Sequence, residues 1–220
     1  MKKKISTKVL VMLLVGILVC GSVVGGTLAW LIDQSDVAVN TFTYGDVNID
    51  LDETDTDRDD DSNPDTNEYE MIPGEDMVKD PKVTVKEDSK ANWLFVKLEK
   101  SENFDDFMEY EIAAGWIPLK DAQGQVIDGV YYREVPEVVD EDIVYEVIKD
   151  NKVHIKESVT KEMLNALNPE GQEANFPTLT VTAYAVQRSG FEPEVSEGAT
   201  VPTAQQVAAA ALRAWEQTGA

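Results

Sequence analysis

Cysteine is almost missing from this chain. The only one, Cys20, stands in an apolar run near the N-terminus, so the remaining sequence carries neither a disulfide nor a cysteine nucleophile. Histidine is equally scarce. His154 stands alone in Val153-His154-Ile155, which excludes a zinc site built on two histidines and the His-Glu-x-x-His motif. No serine lies in a G-x-S-x-G elbow, although counting alone leaves a Ser-His-Asp set open. Basic residues are few: 19 Lys and Arg face 42 Asp and Glu, a net charge of −23. Phosphate contacts need clustered cations, so a nucleic-acid partner is excluded. With so many acids, a carboxylate pair suited to a glycosidase arises by chance. The expectation is a protein that is not an enzyme.

What is present begins at the N-terminus. Lys2, Lys3, Lys4 and Lys8 precede an apolar run from Val9 to Val24, followed by Gly25-Gly26-Thr27-Leu28-Ala29. A basic head, an apolar middle and small residues at Thr27 and Ala29 are the parts of a secretory signal peptide. The run has about 16 residues, against roughly 20 for a comfortable helical span of a bilayer. Cleavage after Ala29 is therefore expected, with residues 1–29 as signal and Trp30 as the new terminus. An uncleaved anchor and lipidation at Cys20 are the alternatives, and Val19 before that cysteine counts against the second. Contact with the membrane is expected only through the uncleaved signal. Cleavage removes four lysines and no acids, leaving 15 basic residues against 42 acidic and a net charge of −27. Such a chain stays dispersed by self-repulsion and is condensed by cations.

Residues 30–220 number 191, enough to build one core without disulfide help. From Val37 to Leu51 the apolar residues alternate (Val37, Val39, then Val47, Ile49, Leu51), which predicts a strand kinked near Gly45-Asp46. Further strands are predicted at 83–85, 93–98, 116–119, 126–133, 143–148, 153–155 and 179–186. In Trp93-Leu94-Phe95-Val96-Lys97-Leu98 the run is nearly all apolar, so this strand is expected to be covered on both faces. Met71-Ile72-Pro73-Gly74 reads as a type II turn, and Asp80-Pro81 as an extended junction. Two helices are expected. Thr160 caps one through Leu167, and Thr203 caps a C-terminal one over 203–217, with Val207, Ala208, Ala211, Leu212 and Trp215 at helical spacing, closing the end of a barrel. Many short strands and few helices predict an all-β fold, a jelly-roll-like antiparallel β-sandwich with short peripheral helices and a C-terminal helix.

One segment is set apart by charge. Residues 52–68 are almost wholly polar and read as a solvated loop between strands. Within it Asp57, Asp59, Asp61, Asp65 and Glu68 fall at positions 1, 3, 5, 9 and 12 of an EF-hand calcium loop. Ser62 replaces the glycine of the sixth position, and the neighbours read as strands rather than helices. Calcium is accordingly the only candidate cofactor, with a plain solvated loop as the alternative.

The residues around the expected cleavage point carry a resemblance. Gly25-Gly26-Thr27-Leu28-Ala29-Trp30-Leu31-Ile32-Asp33, with Val39-Asn40-Thr41-Phe42-Thr43-Tyr44-Gly45-Asp46-Val47-Asn48-Ile49, resembles exported proteins of Gram-positive bacteria processed by the dedicated signal peptidase SipW, the TasA and camelysin family. The likeness continues in Met71-Ile72-Pro73-Gly74, Lys79-Asp80-Pro81, Ala91-Asn92-Trp93-Leu94-Phe95-Val96, Tyr184-Ala185-Val186-Gln187 and Ala214-Trp215. It implies a jelly-roll domain that polymerises head to tail into biofilm matrix or cell-surface fibres, with other matrix proteins as companions. It also implies donor-strand complementation, in which the freed N-terminal segment enters the next subunit. The donor here is Trp30 through about Val39, including Leu31, Ile32 and Val37. Camelysin relatives have been classed as secreted peptidases, a label that one histidine and no zinc motif do not support. A monomeric calcium-binding surface or spore-coat module is the other alternative.

Elementary physics leads to the same expectation. Trp30, Leu31 and Ile32 are large apolar residues at a new chain end, and burying each contributes roughly 1.5–3 kcal/mol. They either fold back on their own sheet or complete the edge of a neighbour, which also supplies that edge with hydrogen bonds. A head-to-tail contact of the second kind does not close, so it grows into a filament.

Overall fold

The computed structural model describes residues 42–44 (backbone), 47–54, 71–170 and 173–220. All belong to one unit, Val37–Ala220. The strands among them are β1 (Phe42–Tyr44), β2 (Ile49–Asp52), β3 (Asp76–Val78), β4 (Lys82–Val85), β5 (Asn92–Lys100), β6 (Met108–Glu109), β7 (Ile117–Lys120), β8 (Val126–Val135), β9 (Ile143–Glu146), β10 (Lys152–Ile155) and β11 (Leu179–Gln187). The helices are α1 (Phe104–Phe107), α2 (Lys161–Leu167) and α3 (Ala204–Trp215), and none is long and apolar enough to cross a membrane. The fold is all-β.

A five-stranded sheet in the order β1-β11-β5-β8-β7 forms the main layer. Two three-stranded sheets, β2-β4-β9 and β3-β10-β6, lie against one of its faces. Strand β5 shows why. Its residues alternate between two cores: Leu94, Val96 and Leu98 join Val83, Val85, Val153, Ile155, Val181 and Ala183 inside, while Trp93 and Phe95 point the other way. Both sets are almost fully buried, so the expectation of a strand covered on both faces holds.

The second cover is α3. Ala210, Ala211, Ala214 and Trp215 pack on Trp93, Phe95, Leu119, Tyr132 and Tyr184. This corrects the expected placement: the helix lies on the outer face of the large sheet instead of closing the end of a barrel. Its contact stripe includes Ala210 and Ala214, because small side chains let the helix axis approach the aromatic layer. Thr203 caps it in a capping box with Gln206, and Thr160 caps α2 by accepting from the Met163 amide.

Two further differences concern strand pairing. The segment read as one kinked strand from Val37 to Leu51 contributes β1 and β2 to different sheets, the chain changing layer between them. And β1 pairs with β11 in parallel, so the sandwich is not wholly antiparallel. Within β8, Gly129 has φ +68° and forms a bulge, so that Ile127 and Val130, three residues apart, both pack on the helix-facing core. The turn at Pro73-Gly74 is as read, with the Glu75 amide donating to the Ile72 carbonyl at 3.1 Å and Gly74 at φ +82°.

Candidate assembly surface

The residues singled out for cleavage (Thr27, Ala29, Trp30), for strand donation (Trp30, Leu31, Ile32, Val37, Val39) and for calcium (Asp57, Asp59, Asp61, Asp65, Glu68) all lie outside the described residues. What the structure describes is the sheet edge next to β1 and the layers around it.

Strand β1 is the first described segment after the expected donor. It runs parallel to β11 with Phe42, Thr43 and Tyr44 opposite Tyr184, Ala185 and Val186. Strand β11 begins five residues earlier, at Leu179, and its other side is paired along its whole length with β5. Among the described residues no strand is bonded to the β1 side of β11 over residues 179–183. This edge matters because of its side-chain parity. Leu179, Val181 and Ala183 face the inner core, whereas Tyr184 and Val186 face α3. Strand β2 packs beside β11 on the same side of the sandwich.

The opposite side is sealed by side chains. The Trp116 indole donates to the Glu146 carbonyl at 2.8 Å, tying β9 to the start of β7. Between them the Arg133 guanidinium stacks 4.0 Å from the Tyr145 ring centre and 5.1 Å from that of Trp116. Edge strand β7 carries Pro118 and Lys120 and an irregular register between them, all features that discourage further pairing.

The first residues of the predicted acidic loop are ordered, a partial correction. Asp52 belongs to β2. Glu53 holds Lys79 at 2.7 and 2.9 Å, and the Thr54 amide and hydroxyl both donate to Asp80, at 2.9 and 2.7 Å. Asp80 is only 6% exposed, and Lys82 completes its shell at 2.7 Å. Burial opposes ionisation of its carboxyl, but the hydrogen bonds from Lys82 and Thr54 outweigh burial and hold it below the usual carboxylate range. A carboxylate with a lowered folded pKa stabilises the fold above its unfolded pKa and loses that contribution as pH falls through the folded value. Asp80→Asn is expected to cost about 2 kcal/mol at neutral pH. The gap between the thermal melts of the two proteins should begin to narrow as pH falls toward about 4 and close only below the lowered folded value.

His154 lies on central strand β10, and its Nδ1 is 2.9 Å from Asp76 on β3. The imidazole and Lys152 hold the exposed Asp76 carboxyl below its usual range. Among the described residues no cluster of His, Cys, Asp and Glu has the arrangement of a metal site. The sequence reading missed Asp80 and Arg133, whose one legible signal is that each polar residue sits within or beside a run of strand-forming residues. No family model, curated protein or solved structure matches the chain.

Proposed function

We propose that this chain is an exported structural protein with a jelly-roll-like domain. Cleavage after Ala29 frees its N-terminal segment, which adds as a strand to a neighbouring copy and builds head-to-tail fibres at the cell surface or in an extracellular matrix. The observation that carries this reading is the edge of β11 ahead of β1. Continued backward, the register Phe42↔Tyr184 that β1 holds within one chain would set Val39 opposite Val181 and Val37 opposite Leu179; in donation the whole segment, β1 included, takes that register on the β11 of the neighbouring copy. Paired residues in a sheet share a face, so both valines are directed to the inner core that Leu179 and Val181 already occupy. Asn40 and Ala38 then take the outer positions. The alternation in the sequence therefore suits this edge in this register, and a one-residue slip would turn both valines away from the core. Edge addition supplies hydrogen bonds along the strand and apolar contacts from alternate residues.

The test is assembly itself. Purified 30–220 is expected to form filaments visible by electron microscopy, and 40–220 to remain monomeric. Equal fibres from both proteins would rule out strand donation.

A further inference from the structure

Among the described cations that hold no carboxylate (Lys120, Arg133, Lys156, Lys161 and Arg188), Arg133 is set apart by its seat between two aromatic rings. Nine lysines and arginines among the described residues hold a carboxylate of their own chain: Lys79, Lys82, Lys86, Lys90, Lys97, Lys100, Lys149, Lys152 and Arg213. Arg133 holds none among those residues, although the chain has 42 acids. It is half-buried, and burial disfavours its charged form, so it bears a desolvation cost that no carboxylate offsets. Both of its neighbours are aromatic, Tyr145 at 4.0 Å and Trp116 at 5.1 Å from ring centre to guanidinium carbon.

Stacking engages the faces of a guanidinium and leaves its in-plane N–H donors for an acceptor in the plane. Among the described residues, no acceptor fills that position. The site is also shaped to hold the group in place. Gly115 has φ +90°, and a Cβ there would stand 2.5 Å from Nη2, so a larger residue would displace the guanidinium. An immobilised, partly dehydrated guanidinium with free in-plane donors is a receptor for a carboxylate bound by two parallel hydrogen bonds.

We propose that Arg133, seated between Trp116 and Tyr145, binds a carboxylate presented by a second copy of this chain. The occupant follows from composition. The surface of another copy is dense in Asp and Glu, and most described cations are already engaged by their own chain. The site is on β8, which is separated from β1 by β11 and β5 in the large sheet, so the contact is separate from strand donation and adds a lateral or cross-subunit anchor to it.

The experiment is arginine-selective labelling of the 30–220 protein with phenylglyoxal, read peptide by peptide by mass spectrometry. Sodium acetate at constant ionic strength is expected to slow modification of Arg133 several-fold more than sodium chloride does, and Arg188 and Arg213 much less. Raising the protein concentration in chloride alone should give the same selective protection. Arg133→Gln is expected to weaken self-association about tenfold in sedimentation, the loss of one charge-assisted pair. Acetate that protects no better than chloride would overturn the receptor, leaving Arg133 as a seal between the layers. Protection by acetate but not by protein concentration would overturn the second copy as its occupant. Both labelling arms use the unaltered protein, so neither depends on folding of the variant.

Discussion

Trp215→Ala is expected to remove about 3–5 kcal/mol of stability, the cost of truncating a large buried aromatic side chain. Trp215 is 7% exposed and sits 5.4 Å from Phe95 and 5.3 Å from Tyr184, ring centre to ring centre, the second pair edge to face. It joins the end of α3 to the adjacent strands β5 and β11 of the large sheet. Its loss leaves a hole that the neighbouring alanines cannot fill. The remaining helix then presents Ala210, Ala211 and Ala214, with only the half-buried Val207 and Leu212 beside them, to an aromatic layer of Trp93, Phe95 and Tyr132. Detachment of α3 is the expected consequence. It should appear in hydrogen exchange as loss of protection over residues 204–215 before the sheet itself opens. A variant that melts within a degree or two of the parent would mean that the outer core does not depend on this helix.

Gly129→Ala is the second large effect, at about 3 kcal/mol or more. Two costs combine at one residue. At φ +68° an alanine is strained, and its Cβ would stand 2.1 Å from the Leu98 carbonyl oxygen, a backbone atom with no freedom to retreat. Relief requires straightening the bulge, which would reverse the facing of Ile127 relative to Val130 and empty part of the outer core. Denaturant melts should show the midpoint falling with little change in slope. Gly124, also at positive φ (+82°) but with open space around its missing Cβ, serves as the control and should lose much less on the same substitution.

These two sites show how unevenly the fold was written in the sequence. Long elements with repeated apolar spacing were legible: β5 as a doubly covered strand, β11 from its β-branched run, α2 and α3 from Thr160 and Thr203. Elements with a single inward residue were not. Strand β3 turns only Met77 toward the core, and β6 is two residues long, so neither carries a period to read. The jump from β1 to β2 was hidden because alternation continues across a change of sheet, and period alone does not say which sheet a strand joins. Asp80 was unreadable for another reason. A buried carboxylate looks like a surface one until its donors, Thr54 and Lys82, are brought to it by tertiary structure. Arg133 has the same character, closing a predicted strand while its aromatic neighbours come from β9 and the entry to β7.

Of the candidate functional residues, those named from the sequence lie outside the described residues, and the structure describes the β11 edge that the proposal assigns to them. Under the proposal, the parity of Leu179 and Val181 assigns Val37 and Val39 a register, which alternation alone did not.

Disulfide trapping tests the central claim most directly, because residues 30–220 contain no cysteine. Val39→Cys and Val181→Cys are made in separate copies of the 30–220 protein, mixed and oxidised. Strand donation in the parallel register predicts a covalent dimer containing one copy of each variant, formed only in the mixture. If the mixture stays monomeric while a chain bearing both cysteines closes a disulfide within itself, the segment belongs to its own sheet and the fibre account is contradicted.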